Sequence, residues 1–120
     1  MKLWAVRGAT TIGDDTPGAV IEATQELLEK IFEENQIAHE EIVSIFFTVT
    51  PDIQSEFPAV GARNLGLNSV PLMCAQEISK IDALPRCIRV LINFYTELTR
   101  DALKPVYLRE AVKLRPDLNR

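Results

Sequence analysis

The segment IVSIFFTVT, residues 42–50, limits the possible folds of this chain more than any other feature. It is almost continuously apolar and rich in β-branched and aromatic side chains, a composition that favours a β-strand covered on both faces. A second long strand is predicted at 86–95, RCIRVLINFY, where the alternation of side chains places Ile88, Val90 and Ile92 on one face. The chain is therefore expected to fold around a sheet in which both faces need cover.

Residues 17–35 carry the clearest helical pattern. Thr16 is a suitable N-cap, Pro17 suits the first helical position, and Asn35 is a suitable end. Apolar side chains recur at helical spacing along one side of the segment, and glutamates cover the other side. The pattern predicts one long amphipathic helix with a solvated acidic face.

The other predicted elements are shorter. They are a first strand at 2–12, a short helix between Pro58 and Gly66, and a short strand at 70–74. The segment VYLREAVKL, from residue 106 onward, mixes strand and helix signals and stays unassigned, and a loose polar tail is expected at the end of the chain. With no internal repeat and no linker, residues 1–120 are predicted to form a single α+β domain with a mixed sheet of about five strands.

A single amphipathic helix can cover only one face of such a sheet. The predicted strands at 42–50 and 86–95 nevertheless carry apolar residues on both faces. Another copy of the chain is the simplest cover for the second face. The sequence therefore predicts a homo-oligomer with sites between its subunits.

Two arginines interrupt apolar strands, Arg7 in the first strand and Arg89 between Ile88 and Val90. Each could be structural, either extending to solvent from an edge or pairing with an internal carboxylate. Together they also suit an anionic ligand, because arginine stays charged when desolvated and binds carboxylates in a planar, bidentate way. Both interpretations remain open at the level of the sequence.

Further polar candidates are Glu77, which follows the strand at 70–74, and Tyr107. Glu77 could be an ordinary loop carboxylate, the structural partner of Arg89, or a group aimed into a cleft, and Tyr107 could be a core residue. The sequence has no Gly-rich phosphate loop and no GxSxG motif, and His39 lies in a polar connection. An enzyme built from these residues is expected to act through electrostatics and positioning.

Composition and charge exclude several classes of protein. The formal net charge is -4 and the basic residues are scattered, which argues against nucleic acid as a partner. No stretch approaches the roughly 20 apolar residues of a membrane span. Cys74 and Cys87 lack metal-type spacing, so no metal is expected, and both are interpreted as reduced thiols of a cytoplasmic protein.

Several short strings occur together in an order typical of one enzyme family. They are RGATT (7–11), TPDIQSEFPAVGAR (50–63), VPLMCAQEI (70–78), LPRCIRVLI (84–92), VYL (106–108) and LRPDL (114–118). Over essentially its whole length the chain resembles the AroH-type monofunctional chorismate mutases. The resemblance implies a homotrimer with a pseudo-α/β-barrel core and active sites between adjacent subunits. It also implies the Claisen rearrangement of chorismate to prephenate, on the way to phenylalanine and tyrosine, with no cofactor.

The resemblance also implies a role for each candidate residue. Arg89 matches the arginine that donates to the ether oxygen of the breaking bond, and Arg7 the one that binds the enolpyruvyl carboxylate together with Tyr107. Glu77 matches the carboxylate that accepts from the ring hydroxyl, and Cys74 lies near that side of the ring. The implied wall and rim positions, and a C-terminal residue that closes over the mouth, are Phe57, Ala59, Arg63, Met73, Leu114 and Arg115.

Two positions depart from the family pattern. Val60 stands where a relative carries lysine, and Met73 where it carries threonine, so binding of the ring carboxylate would depend on Arg63. Two other functions stay open at this point: a trimeric imine or enamine hydrolase, and a non-catalytic module that binds a metabolite of the aromatic pathway. The conversion of chorismate to prephenate separates all three.

Overall fold

A computed structural model describes residues 1–115 of the chain. It contains five strands, two α-helices and three short 3₁₀ helices. The strands are β1 (Lys2–Thr11), β2 (Ile42–Val49), β3 (Leu72–Gln76), β4 (Cys87–Thr96) and β5 (Val106–Tyr107), and the α-helices are α1 (Pro17–Asn35) and α2 (Pro58–Asn64). The 3₁₀ helices span His39–Glu41, Arg100–Ala102 and Arg109–Leu114.

The five strands form one mixed sheet in the order β3-β2-β4-β1-β5. β4 lies at its centre and is antiparallel to both β1 and β2. The two outer strands are parallel to their neighbours, β3 to β2 and β5 to β1. The predicted class, α+β with a mixed sheet of about five strands, is confirmed.

Helix α1 covers one face of the sheet. The Thr16 side chain accepts a hydrogen bond from the Ala19 backbone N–H, and Pro17 is the first helical residue, as the sequence predicts. The helix ends at Asn35 because Gln36 takes a left-handed conformation with φ 55°. The buried side chains of the helix include Leu27, Leu28 and Ile31. They share one core with buried strand residues, which include Ile45, Phe47, Ile88, Val90, Ile92 and Phe94.

The opposite face of the sheet, called the open face below, is uncovered along much of its length. Several large apolar side chains on it are exposed, by 63% for Met73, 49% for Leu3, 45% for Tyr95 and 42% for Phe46. The strand registers place Leu3 beside Tyr95, and Met73 beside Phe46. The expectation that a single chain leaves one apolar face without cover is therefore met.

The segment VYLREAVKL resolves into two kinds of structure. Val106 and Tyr107 pair with Gly8 and Ala9 as the edge strand β5, and a 3₁₀ helix follows from Arg109 to Leu114. The mixed signals therefore reflect a real change of structure at Leu108. The tail predicted to be loose and most of the string LRPDL, namely residues 116–120, lie outside the described residues.

None of the helices within residues 1–115 is both long enough and apolar enough to cross a membrane.

Gly8 is the place where β1 approaches α1 and β5 most closely. A Cβ atom at this position would lie 2.7 Å from Ile31 Cδ1, 3.0 Å from the Val106 carbonyl oxygen and 3.2 Å from Leu27 Cδ1. Because Leu27 and Ile31 are fully buried, neither can move aside freely. We expect Gly8→Ala to lower the free energy of unfolding by about 1–3 kcal/mol, measured by denaturant titration.

Gly18 provides the control for this substitution. It lies in the first turn of α1, where a Cβ atom meets nothing within 4 Å. Gly18→Ala should leave stability unchanged or raise it by up to about 1 kcal/mol, the helix-propensity difference between the two residues. Equal effects of the two substitutions would contradict the close approach at Gly8.

Candidate active site

An ion pair on the open face joins two of the residues singled out from the sequence. The Arg89 Nε atom lies 3.1 Å from Glu77 Oε2. The Thr48 hydroxyl donates to the same oxygen at 2.7 Å. The Arg89 side chain is 50% exposed and the Glu77 side chain 18% exposed. Arg89 therefore both reaches solvent and pairs with a carboxylate, the two ways in which a charged side chain is expected to be accommodated in this apolar strand.

Strand alternation determines which way Arg89 points. Its neighbours Ile88 and Val90 are buried on the face packed against α1, so Arg89 projects from the open face. Glu77 reaches the same face because it directly follows β3, and its backbone N–H donates to the Val49 carbonyl at 2.9 Å. The predicted direction of Arg89 is confirmed.

The start of β4 is held by side-chain hydrogen bonds from the loop that follows β2. Both Asp52 carboxylate oxygens accept from the Arg86 backbone N–H, at 3.1 and 3.0 Å. The Thr50 hydroxyl accepts from the Cys87 N–H at 2.9 Å and donates to Asp52 at 2.6 Å. These contacts fix the backbone two residues before Arg89, so the guanidinium projects from a well-anchored strand.

Arg7 and Tyr107 lie on the open face near Arg89. Arg7 is opposite Leu91 in the pairing of β1 with β4, and Ala9 is opposite Arg89. Arg7 and Arg89 are therefore diagonal neighbours, with Cα atoms roughly 7–8 Å apart. Tyr107 pairs with Ala9 from the other side. Together with Glu77 these residues form the open-face group: Arg7, Glu77, Arg89 and Tyr107.

A second set of the predicted residues lies on the other side of the sheet, around α2. Cys74 pairs with the buried Phe47, so its side chain faces the helices rather than the open face. Phe57 immediately precedes α2, and Ala59 and Arg63 belong to it. We call Phe57, Ala59, Arg63 and Cys74 the helix-side group. A cavity of about 320 Å³ lies beside it and is lined in part by Phe57 and Cys74.

The three remaining predicted residues are divided between these regions and the chain end. Met73 is exposed on the open face at the edge strand β3. Leu114 packs with Tyr107 against the small buried cluster of Ala9, Cys87 and Ala111. Arg115 follows the last 3₁₀ helix. Within a single chain the residues of the open-face group therefore lie together on one face of the sheet. The helix-side group lies on the other face.

Both thiols are protonated at neutral pH. Burial raises the pKa of the Cys87 thiol to about 11, and the nearby Arg89 cation offsets part of this effect. Burial also raises the pKa of Cys74, against the opposing influence of the Ala59 backbone and the Arg63 charge. Neither thiol is poised as a nucleophile, as the sequence interpretation of reduced core thiols predicts.

The raised pKa of Cys87 predicts a loss of stability at alkaline pH. Between pH 9 and about pH 11 the unfolded chain releases the thiol proton while the folded chain keeps it. The free energy of unfolding should therefore fall in this range, by up to about 1.4 kcal/mol per pH unit from this group. Thermal midpoints of the wild type and of Cys87→Ala, measured from pH 7 to pH 11, test this. Parallel curves for the two proteins would refute it.

Thr48 is the site residue that sequence reasoning missed. It lies in an apolar strand where threonine is common for its β-branched shape, so its composition gives no sign of a polar role. The register of β2 with β4 places it directly opposite Arg89. A pairing prediction for these two strands is the signal that could have revealed it.

Comparisons with known proteins found a family model and relatives that match nearly the whole chain. A family model described as chorismate mutase type I matches residues 3–118. The chorismate mutase AroH of Thermus thermophilus is 50% identical over 114 residues, covering 94% of this chain and 93% of that protein. The chorismate mutase AroH of Bacillus subtilis (strain 168) is 41% identical over 120 residues, covering 99% of this chain and 94% of that protein.

A solved structure of a chorismate mutase from Clostridium thermocellum has a similar fold. It superposes with a TM-score of 0.89 at 44% sequence identity, covering 90% of this chain and 96% of that chain.

Proposed function

The chain belongs to the chorismate mutase type I family, and from that premise we propose how its own residues rearrange chorismate to prephenate. The observation that carries the proposal is the open-face group, in which two guanidiniums, a carboxylate and a phenol project from the same face of the sheet. The substrate is a dianion whose reaction breaks a C–O bond and forms a C–C bond within one molecule. Fixed cations suit both its binding and its transition state.

Arg89 supplies the charge at the breaking bond. Its Nε atom forms an ion pair with Glu77 at 3.1 Å, and we assign N–H groups of its terminal nitrogens to the substrate. One of them donates to the ether oxygen, where negative charge grows as the bond breaks. The interaction is stronger in the transition state than in the ground state, so it accelerates the reaction.

Arg7 and Tyr107 bind the enolpyruvyl end of the substrate. Arg7 lies on β1, next to the strand of Arg89, and Tyr107 lies on β5, on the other side of β1. A carboxylate bound between Arg7 and Tyr107 therefore holds that end of the substrate on the same face as Arg89. The fork of the guanidinium matches the geometry of a carboxylate, and the phenol adds a further donor. Fixing this end selects the compact conformer in which the two reacting carbons meet.

Glu77 orients the ring. Its carboxylate accepts a hydrogen bond from the ring hydroxyl and balances the positive charge that develops in the ring as the ether oxygen becomes negative. No proton is transferred in this reaction, so Glu77 acts through position and charge rather than as a general base.

The helix-side group completes the pocket from a neighbouring subunit. In one chain this group and the open-face group lie on opposite sides of the sheet edge, and the apolar open face lacks cover. A trimer arranged as a pseudo-α/β barrel would cover that face and bring Phe57, Ala59, Arg63 and Cys74 of one subunit to the open-face group of the next. Arg63 would bind the ring carboxylate, since the neighbouring Val60 carries no charge.

We propose that Met73, Leu114 and Arg115 form the outer part of the pocket. Met73 contributes to its wall, and Leu114 and Arg115 contribute from the end of the chain, with Arg115 closing over the mouth. Leu114 and Tyr107 pack against the same buried cluster, which supports this placement.

The free thiols Cys74 and Cys87 suit a reducing compartment. We therefore place the enzyme in the cytoplasm, where the pathway to phenylalanine and tyrosine would supply its substrate. Cell fractionation tests this placement.

The activity is tested with purified protein and chorismate. We expect the ultraviolet absorbance of chorismate to decay much faster than in buffer, with prephenate as the product. A decay rate equal to that in buffer would overturn the proposal.

Subunit mixing tests the shared site. Arg89→Ala damages the open-face group, and Arg63→Ala damages the helix-side group. A homotrimer of either variant should therefore have low activity at low chorismate concentration. Co-expression of the two variants in equal amounts should restore about a quarter of the sites, because random assembly sometimes joins two intact groups.

Mixing Arg89→Ala with Arg7→Ala is the matched control. Both substitutions damage the open-face group, so no mixed trimer contains an intact one and no activity should return. Absence of recovery in the Arg89→Ala and Arg63→Ala mixture as well would mean that each site is built within one subunit.

A further inference from the structure

Thr48 occupies a position that the proposed mechanism does not use. It lies on β2 with β3 on one side and β4 on the other, directly opposite Arg89 in the strand register. Its hydroxyl donates to Glu77 Oε2 at 2.7 Å. The Arg89 Nε atom forms an ion pair with the same oxygen at 3.1 Å. One hydroxyl therefore contacts the carboxylate that also holds the guanidinium.

The two oxygens of Glu77 are consequently in different environments. Oε2 accepts from Thr48 and forms the ion pair with Arg89, whereas Oε1 accepts no hydrogen bond from residues 1–115. A carboxylate can accept several hydrogen bonds, so Oε1 keeps its capacity for a ligand hydroxyl. Without the Thr48 contact the carboxylate could rotate and exchange its oxygens at Arg89.

The side chain of Thr48 is suited to fixing this rotation. A β-branched residue has restricted χ1 freedom, and β2 is paired on both sides, so the hydroxyl has a fixed position. The direction of the Glu77 carboxylate in turn sets the plane of the Arg89 guanidinium through Nε, and with it the direction of the two terminal nitrogens.

We propose that Thr48 is a positioning residue for the rearrangement: its hydroxyl locks the Glu77 carboxylate so that Oε1 faces the substrate hydroxyl and Arg89 faces the ether oxygen. The inference rests on the proposed function. It adds a residue that does not touch the substrate and acts through two residues that do.

Thr48→Val is the first test, because valine keeps the shape and the strand preference of threonine and removes only the hydroxyl. We expect kcat to fall about tenfold, the size of effect expected for one charge-assisted hydrogen bond, with a smaller change in KM. Thr48→Ser keeps the hydroxyl and should retain kcat within about threefold of the wild type on the same reasoning. Thr48→Ala serves as a second variant without the hydroxyl if the valine protein folds poorly.

Ser44→Ala is the matched control. Ser44 lies on the same strand and the same face, and its hydroxyl accepts from Asn93 Nδ2 at 3.1 Å, far along the strand from Glu77. Removing that hydroxyl should leave kcat unchanged. Trimer content and thermal midpoint are measured for every variant, so that a loss of assembly is separated from a loss of turnover.

A double-mutant cycle decides whether Thr48 acts through Glu77. In a Glu77→Ala background no side-chain oxygen remains to accept from Thr48, so adding Thr48→Val should lower kcat by less than about twofold. The same tenfold loss in both backgrounds, wild-type kcat in Thr48→Val, or equal damage from serine and valine would each overturn the inference. A wild-type protein that leaves chorismate unchanged would instead overturn the proposed function, and the inference with it.

Discussion

Arg89→Ala is expected to lower kcat by about 10²–10³-fold, which corresponds to about 3–4 kcal/mol in the activation barrier. KM for chorismate should change much less. The measurement is the initial rate of chorismate loss over a range of substrate concentrations, with the assembly state checked for each protein.

The expected size follows from where the charge acts. In the proposed mechanism the guanidinium donates to an oxygen that is almost neutral in the ground state and negative in the transition state, so most of its effect should be lost from kcat rather than from binding. Arg7, as we propose, would still bind a substrate carboxylate in this variant. Arg89 is half-exposed and its strand neighbours are buried, so its removal should leave the core intact.

Lysine at position 89 should restore only part of the loss. An ammonium supplies the charge but cannot hold Glu77 through one nitrogen and reach the substrate through two others. Arg100→Ala is the control: this exposed arginine lies 4.5 Å from the centre of the Trp4 ring, outside the open-face group, and its loss should not affect turnover. Near-normal kcat in Arg89→Ala would show that its role is assigned wrongly even in an active enzyme.

Glu77→Ala should have the second largest effect, a fall in kcat/KM of about 10–100-fold, typical of losing a hydrogen bond to a charged group. Two contacts disappear together. The ring hydroxyl loses its acceptor, and the Arg89 Nε–H loses the group that orients it. The loss is therefore expected in both kcat and KM, unlike that of Arg89→Ala.

Glu77→Gln separates geometry from charge. The amide oxygen still accepts a hydrogen bond, so this variant should be clearly more active than Glu77→Ala. Equal losses in the two variants would contradict the hydroxyl contact. Glu97→Gln is the control, since within residues 1–115 this exposed carboxylate pairs with the amino group of Met1, outside the open-face group.

The parts of the fold that follow a local rule could be predicted from the sequence. Alternation along β4 gave the direction of Arg89, and capping chemistry gave the bounds of α1 at Pro17 and Asn35. These features depend on neighbours within a few residues, so the sequence contains the information. The uncovered apolar face could also be predicted, because the sequence contains one long amphipathic helix and a sheet with two apolar faces.

The parts that depend on long-range pairing could not be predicted in the same way. The Glu77–Arg89 contact joins residues whose strands are separated by β2, and the sequence alone left a structural pair and a ligand site equally open. Tyr107 belongs to a strand of only two residues that exists because β1 offers it a partner. The role of Thr48 depends on the register between β2 and β4, which a single sequence does not reveal.

The position of the open-face group within the sheet has a consequence for local opening of the fold. Arg89 lies on β4, which pairs with β1 along its whole length and with β2 from Ile88 to Phe94. Tyr107 lies on the two-residue edge strand β5, which pairs with Gly8 and Ala9 of β1. Backbone amides around Arg89 should therefore exchange with solvent only in global unfolding, and those around Tyr107 in small, frequent openings. In the proposed mechanism one end of the substrate would thus be held by the most persistent part of the molecule, and the other by a part that can release product while the rest stays folded.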